Sequence, residues 1–281
     1  MYFTSQCLPH RVRYLHSCAR ARLKNWRDYS SRSPAASFYA ALQSGFDPEA
    51  HIDVLPAHNL IYVSIPKNAS TTIKAFLSGL NGQQTLSAET LHTRRHSGIL
   101  SPARAGLSTF HRIAMSPTAL RFSFVRNPYA RLVSAWADKF SNKQLMPGDP
   151  FVEIYLDYTT QSGDGQTIAP GDALSFERFA AFACATAAQR QNPHWSLQHD
   201  LLDFPGLSLN FVGAVERFGT DFTHIGERLG VGTRHVKPLV TNFYNRSRHR
   251  PWQDYYTPAL AKMVYRAYEH DFDRFNYASS I

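Results

Sequence analysis

The chain has 281 residues, 43% of them hydrophobic, and a formal net charge of +9. A chain of this length buries a sizeable core without disulfides. Its three scattered cysteines form neither a disulfide framework nor a CxxC zinc signature. The positive charge favours anionic ligands such as a nucleotide, an acidic glycan, nucleic acid or a membrane surface.

The sequence predicts no transmembrane helix, because it contains no apolar run of about 18 residues. The N-terminal region is basic and lacks the apolar segment of a signal peptide. We therefore expect a cytoplasmic protein, with peripheral membrane association as an alternative and a lumenal location as the less favoured one. Residues 1–56 are expected to form a basic, partly helical lead-in, and residues 57–281 one larger domain.

The first regular unit begins at Asn59–Ile65, a short apolar run rich in β-branched residues. This run predicts a buried strand that ends at Pro66. After a tight turn, Ser70 or Thr71 is expected to cap a helix that runs to about Leu80. The apolar residues of this helix share one face.

A second unit repeats the order of strand, turn and helix. Residues 121–125 predict a strand, and Arg126 and Asn127 form the turn. Pro128 then opens a helix that extends to residue 140, with its apolar residues at helical spacing.

The rest of the chain continues this alternation. Residues 141–172 are rich in Gly, Pro and Asp and are expected to form an excursion over the surface. Helices are expected over 174–188, over 221–229 and from Pro258 onward, with a strand over 209–215. Alternating strands and helices predict an α/β fold with a central, mostly parallel sheet flanked by helices. Ligands of such folds bind at the carboxyl ends of the strands, where both turns lie.

The first turn and the helix start after it form a candidate anion site. A helix N-terminus presents backbone N–H groups and partial positive charge, and Lys67 adds a full charge. The GxxxxGK[ST] pattern of a P-loop is absent. The candidate binding residues are Pro66, Lys67, Asn68, Ala69, Ser70, Thr71 and Thr72.

The second turn offers another candidate anion site. Arg126 lies at the end of its strand, and Ser134 follows two helical turns later. Arginine presents a planar fork of donors that suits a phosphate. Two such sites in one sheet suit a nucleotide with phosphate groups at both ends of its ribose.

The two segments resemble the 5′-phosphosulfate loop and the 3′-phosphate motif of sulfotransferases that use PAPS (3′-phosphoadenosine-5′-phosphosulfate). They are most similar to the carbohydrate branch that includes the chondroitin 4-O and HNK-1 sulfotransferases. The resemblance covers roughly residues 58–278 and continues through later landmarks in the same order. These landmarks are His194-Trp195, Asn210–Gly213 with Glu216, and the stretch from Tyr255 to Tyr277.

This resemblance implies a P-loop-like nucleotide-binding sulfotransferase fold. It also implies transfer of a sulfuryl group from PAPS to a hydroxyl of an oligo- or polysaccharide, with release of adenosine 3′,5′-bisphosphate. A small hydroxylated metabolite is the alternative acceptor.

The resemblance also assigns roles to residues of the two turns. It implies that Lys67 contacts the leaving oxygen of the donor and that the first loop holds the 5′-phosphosulfate. It implies that Arg126 and Ser134 hold the 3′-phosphate. A basic loop over the nucleotide is implied at Arg246, Ser247 and Arg248.

The reaction also needs a base, because the acceptor hydroxyl loses its proton during the attack. Histidine suits this role near neutral pH. In sulfotransferases the base often lies between the two donor motifs, where His92, His96 and His111 fall. His92 is our candidate, on the expectation that it ends a strand whose tail points towards the site. His111 and His194 are the alternatives.

The thirteen histidines include no HExxH motif, so we expect no metal to be required.

Two other functions compete with this interpretation. A nucleotide-dependent kinase or NTPase is the alternative enzyme, although the sequence lacks a Gly-rich loop. A basic nucleic-acid-binding module is the alternative of another class, but we find no helix-turn-helix, RRM or KH signature and expect no nucleic-acid partner.

Overall fold

A four-stranded sheet forms the centre of the protein. The computed structural model describes residues 33–83, 87–94, 97–141, 148–162, 173–190, 192–232 and 249–281. The strands are β1 (Ile52–Leu55), β2 (Leu60–Val63), β3 (Leu120–Val125) and β4 (Phe211–Ala214), which lie side by side in that order. β1 is antiparallel to β2, whereas β2, β3 and β4 are parallel. The predicted α/β fold with a mostly parallel sheet is confirmed.

Helices cover both faces of this sheet, and α3 and α7 begin just after the turns that follow β2 and β3. The helices of the described residues are α1 (Pro34–Leu42), α2 (Pro48–His51), α3 (Ser70–Leu80), α4 (Ala88–Thr93), α5 (Pro102–Ala105), α6 (Leu107–Met115), α7 (Pro128–Lys139), α8 (Pro150–Ser162), α9 (Phe176–Thr186), α10 (Gln198–Leu202), α11 (Phe218–Arg228) and α12 (Pro258–Arg274).

The side chains of the strands contribute to two separate cores, one on each face of the sheet. Side chains of a strand point in turn to opposite faces of the sheet. Ile61 and Val63 of β2 pack with α1 and α6. Leu60 and Tyr62 pack with α3 and α11. Therefore α3 and α6 lie on opposite faces of the sheet.

A third core joins α7, α8, α9 and α12 around Trp195. Trp195 is fully buried, and its Nε1–H donates to Oγ1 of Thr186 at 3.1 Å. The hydroxyl of Tyr268 on α12 donates to the carbonyl oxygen of Trp195. The tryptophan of the His-Trp landmark thus holds the C-terminal helix against the domain.

Gly213 in β4 is required by the packing of its neighbour. A Cβ atom at this position would lie 2.5 Å from the ring of Phe124 on β3. That ring also packs against Phe218 and Phe222 of α11, at centroid distances of 5.2 and 6.1 Å. Only glycine lets β4 pair with β3 while the Phe124 ring stays in place.

Two regions differ from the simple alternation expected from the sequence. The region 141–172 is expected to form an excursion over the surface, but α8 runs through part of it and packs into the core. Pro150 opens the helix, Oδ1 of Asp149 accepts from the N–H of Phe151 at 2.8 Å, and Val152 and Tyr155 are buried.

The lead-in also contributes to the folded domain. α1 packs in the core with α6, and β1 forms the antiparallel edge of the sheet. Both elements precede residue 56. The division of the chain at that residue stays a prediction.

Candidate active site

The first candidate loop connects β2 to α3. Lys67 and Ala69 both have left-handed backbone conformations, with φ values of 71° and 59°. Ala69 is the N-cap of α3, and no side-chain hydrogen bond caps the helix there. The prediction that Ser70 or Thr71 caps it is wrong, because Ser70 is already the first helical residue. The partial positive charge of the helix N-terminus is therefore directed at the turn that carries Lys67.

Lys67 forms an ion pair with the helix of the second motif. Its Nζ lies 3.1 Å from Oδ2 of Asp138 on α7, and Nζ of Lys139 lies 3.0 Å from the same oxygen. Burial lowers the pKa of Lys67, and the carboxylate of Asp138 opposes this effect. Burial raises the pKa of Asp138, but the two lysines outweigh it and bring this pKa down to about 2. The site thus groups two cations around one ionised carboxylate.

Neither Asp138 nor Lys139 was among the site residues predicted from the sequence. A signal for Asp138 was available, because it lies one helical turn beyond Ser134 and on the same face of α7. Its pairing with Lys67 could not be read from the sequence, since the two residues lie on separate units of the fold.

The second candidate loop lies against the first. Nη1 of Arg126 donates to the carbonyl oxygen of Lys67 at 3.2 Å. Oδ1 of Asn127 accepts from the N–H of Tyr129 at 2.9 Å and so caps α7. Ser134 lies two turns into this helix and is buried. The fold therefore brings Lys67 and Arg126, the principal cations of the two motifs, to one place.

The other candidate residues of the first loop have mixed environments. Ser70, Thr71 and Thr72 are buried at the start of α3. Oγ1 of Thr71 lies 3.0 Å from Nε2 of His92. The side-chain amide of Asn68 is turned inward, where its Nδ2–H donates to the carbonyl oxygen of Phe124 at 2.8 Å. Asn68 thus ties the first loop to the end of β3.

Two buried residues that the sequence analysis missed support the loops. The guanidinium of Arg131 donates from Nε to the carbonyl oxygen of Pro66 at 3.3 Å and from Nη1 to that of Ser196 at 2.6 Å. Burial lowers the pKa of Arg131 to about 10. Gln198 of α10 contacts both loops through its side-chain amide. The hydrogen bonds of Arg131 and Gln198 join parts of the chain more than 60 positions apart, so no local pattern in the sequence could reveal them.

The three candidate bases occupy different places. His92 lies in the helix α4, so the prediction that it ends a strand is wrong; Ser87 caps that helix by accepting from the N–H of Thr90 at 3.2 Å. Burial of its ring and the charge of Lys74 lower the pKa of His92 to about 4. His111 lies on α6 against Phe38, on the sheet face opposite α3.

His194 is the second histidine near the lysines. Its Nδ1 lies 2.9 Å from Oδ1 of Asn192, and its ring packs edge-on against Phe151. Burial, followed by the charges of Lys139 and Lys67, lowers the pKa of His194 well below its usual value. His92 and His194 are therefore the candidates that lie near the paired lysines, whereas His111 is not.

Glu216, a landmark of the resemblance, supports the second loop. Its Oε1 accepts from the N–H of Asn127 at 2.9 Å, and its Oε2 accepts from the hydroxyl of Tyr277 at 2.8 Å. The C-terminal stretch thus reaches the Arg126 turn through one carboxylate. The predicted basic loop at Arg246, Ser247 and Arg248 lies outside the described residues, as does His96.

Comparison with known proteins identifies the family. The family model described as "Sulfotransferase family" matches residues 50–278. The chain belongs to the sulfotransferase family. This agrees with the resemblance carried by the two motifs.

Several curated sulfotransferases are similar to the chain. Carbohydrate sulfotransferase 11 of Mus musculus is 26% identical over 254 residues, which cover 81% of this chain and 67% of that protein. Carbohydrate sulfotransferase 14 of Danio rerio is 27% identical over 188 residues, covering 66% of this chain and 50% of that protein. Carbohydrate sulfotransferase 12 of Xenopus laevis is 24% identical, covering 81% and 60%. No solved structure matches the chain.

These relatives correct the predicted location. They are carbohydrate sulfotransferases, a family of Golgi-lumenal type II membrane enzymes, which contradicts the cytoplasmic location expected from the sequence. That expectation rested on the lack of a long apolar run and of the apolar segment of a signal peptide, and such absences do not report a compartment. Within the described ranges, no helix is long and apolar enough to cross a membrane.

The described part of the chain contains no group of three or more His, Cys, Asp or Glu side chains that could hold a metal ion. The carboxylate that contacts Lys67, Asp138, is paired with two lysines.

Proposed function

We propose that this protein transfers a sulfuryl group from PAPS to a hydroxyl of an oligo- or polysaccharide and releases adenosine 3′,5′-bisphosphate. The observation that carries the proposal is the contact of Arg126 with the carbonyl oxygen of Lys67, by which the two candidate loops lie side by side. A donor with phosphate groups at its 5′ and 3′ positions needs two such loops. The names of the relatives supply the carbohydrate acceptor.

The first loop fits the 5′ end of the donor. The N-terminus of α3 carries no side-chain cap and directs partial positive charge at the turn. Lys67 adds a full charge, and Ser70, Thr71 and Thr72 add hydroxyl groups at the start of the helix. These residues would hold the 5′-phosphosulfate, while Arg126 and Ser134 would hold the 3′-phosphate.

PAPS supplies the sulfuryl group: the bond from sulfur to the 5′-phosphate oxygen breaks, and a bond from sulfur to the acceptor oxygen forms. Negative charge grows on the departing phosphate oxygen, and Lys67 would neutralise it. The carboxylate of Asp138 favours the charged form of Lys67 and so opposes the effect of burial on its pKa. The role of the protein is therefore to orient the reactants and to balance charge.

The acceptor proton goes to a histidine in this proposal. His92 is the proposed base, with His194 and His111 as alternatives. A pKa of about 4 keeps His92 neutral at pH 7 and thus able to accept a proton. Negative charge brought by a nucleotide raises the pKa of a nearby histidine and so strengthens it as a base. The contact between Nε2 of His92 and Thr71 places this ring beside the donor loop.

A transfer assay tests the proposed function. The native protein would be incubated with PAPS carrying labelled sulfate and with a panel of glycans, lipids and small alcohols. We expect label on a glycan and release of adenosine 3′,5′-bisphosphate in equal amount. Label only on a small alcohol would change the acceptor class. ATP turnover that requires magnesium, without sulfate transfer, would replace the proposal with the kinase interpretation.

The same assay tests the metal expectation. Addition of EDTA should leave the rate of sulfate transfer unchanged, because the proposed charge neutralisation uses Lys67 and Arg126. A rate that collapses with EDTA and recovers with magnesium would contradict this expectation.

A further inference from the structure

Gln198 joins the two candidate donor loops through one buried side chain. It is fully buried, and its Oε1 accepts from the backbone N–H of Arg126 at 2.9 Å and from Nδ2 of Asn68 at 2.7 Å. Its Nε2 donates to the carbonyl oxygen of Arg126 at 2.8 Å. Both backbone polar groups of Arg126 are thus fixed by the same amide that holds Asn68 of the first loop.

Gln198 is itself fixed from the opposite side. Asp271 of α12 is fully buried, and its Oδ2 accepts from the backbone N–H of Gln198 at 2.7 Å. Its Oδ1 accepts from the backbone N–H of His199 at 2.9 Å. A carboxylate at the start of α10 therefore ties this segment to the C-terminal helix. The backbone of Gln198 is thus held by α12, independently of the bonds that its side chain makes to the two loops.

We infer that Gln198 is a positioning residue that sets the spacing of the two donor-binding loops, so that one nucleotide engages both at the same time. This inference rests on the proposed function. The side chain of Gln198 bonds to the side chain of Asn68 and to the backbone of Arg126. The guanidinium of Arg126 is directed at the carbonyl oxygen of Lys67. Its loss should therefore weaken ligands that span both loops more than ligands that engage one.

The test compares two nucleotides on two glutamine variants. Adenosine 3′,5′-bisphosphate reaches both loops, whereas adenosine 5′-phosphate reaches only the first. In Gln198→Ala, the Kd of the bisphosphate should rise about tenfold or more, as expected for loss of hydrogen bonds that orient charged groups. The Kd of the 5′-phosphate should change much less. Gln189→Ala is the matched control, because Gln189 is exposed and its Nε2 donates to the carbonyl oxygen of Ala185, away from both candidate loops.

A purely structural role predicts a different result. In that case Gln198→Ala lowers the melting temperature while the ratio of the two Kd values stays native. An unchanged ratio in the folded variant overturns the inference and leaves the proposed function intact. If the native protein binds both nucleotides equally, the proposed function itself fails.

A second variant and a measurement on the native protein keep the inference testable if Gln198→Ala does not fold. In Gln198→Glu, an ionised carboxylate cannot donate to the Arg126 carbonyl, whereas the protonated acid can. Its loss of bisphosphate preference relative to the native protein should therefore be larger at high pH than at low pH. A pH-independent defect, or none, would count against the inference.

Hydrogen exchange on the native protein gives the remaining readout. Binding of adenosine 5′-phosphate to the first loop should slow exchange of the Arg126 amide as well, because Gln198 holds that N–H from the same side chain that holds Asn68. Protection confined to residues 66–72 would overturn the inference.

Discussion

Lys67 and Asp138 form an ion pair that links the first candidate loop to the helix of the second. Their Nζ and Oδ2 atoms lie 3.1 Å apart, and the lysine side chain is only 10% exposed. Burial favours the neutral amine, and the carboxylate favours the ammonium. Asp138 therefore favours the charged form of the group that is proposed to neutralise the leaving phosphate.

Removal of this carboxylate should change how turnover depends on pH. In Asp138→Asn, burial and the charge of Lys139 remain while the opposing carboxylate is lost, so the pKa of Lys67 should fall further. Turnover should then decline at a lower pH on the alkaline side than in the native protein. The measurement is kcat against pH for both proteins. Identical alkaline limbs would show that Asp138 does not control the ionisation of Lys67.

Lys67 itself should matter for the rate more than for nucleotide binding. Lys67→Ala should lower kcat by about 10²-fold or more, the scale found when one charge-stabilising group is removed. The Kd of adenosine 3′,5′-bisphosphate should change much less. Lys262→Ala, which removes an exposed lysine on α12, is the matched control. Near-native turnover of Lys67→Ala would show that the first loop has only a structural role.

The general base can be assigned by three alanine variants. His92→Ala should lose about 10²–10⁴-fold in rate, the usual contribution of general base catalysis, while PAPS affinity stays near native. His111→Ala should keep native turnover, because His111 packs against Phe38 on the opposite face of the sheet. If His92→Ala keeps more than a tenth of the native rate and His194→Ala collapses, the role passes to His194.

A buried histidine should make the fold sensitive to mild acid. His51 is 7% exposed, its Nδ1 lies 3.0 Å from the carbonyl oxygen of Ser64, and burial lowers its pKa to about 4. The unfolded chain takes up a proton near pH 6.5, whereas the folded protein resists until about pH 4. The free energy of unfolding should thus fall by up to about 3 kcal/mol over this window.

Urea unfolding at several pH values measures this effect in the native protein and in His51→Gln. The glutamine can still donate to the Ser64 carbonyl but does not titrate, so its stability should change less between pH 6.5 and 4. Parallel curves for the two proteins would mean that another group causes the loss.

Much of the fold could be predicted because β2 with α3 and β3 with α7 each carry a local signal. Short β-branched runs, a turn, and apolar residues at helical spacing lie within about 20 residues of one another. β1 was missed because it has only four residues and includes a charged one, Asp53. That carboxylate is buried, and ion pairs with Lys74 at 3.2 Å and Arg94 at 2.7 Å compensate its charge. These ion pairs exist only in the folded chain.

The residues of the candidate site also differ in whether the sequence reveals them. Lys67 and Arg126 follow strand ends and belong to motifs, so their neighbourhood could be predicted from the sequence. Gln198 acts on those loops from a distant part of the chain, and nothing in its local sequence marks it. Asp138 lies one turn beyond Ser134, but its pairing with Lys67 exists only in the folded chain. The prediction of a strand at His92 is wrong because Ser87 caps a helix there, and a serine before Ala88 and Glu89 is a helix-start signal in the sequence.

The most direct test of the central claim is the affinity of the native protein for PAPS and for its analogue without the 3′-phosphate. Charge-assisted contacts are worth about 1.5–3 kcal/mol each, so contacts of Arg126 and Ser134 predict a preference for PAPS of more than tenfold. Arg126→Ala should abolish most of that preference while binding of the analogue stays near native. Equal affinity of the native protein for the two nucleotides would contradict the account.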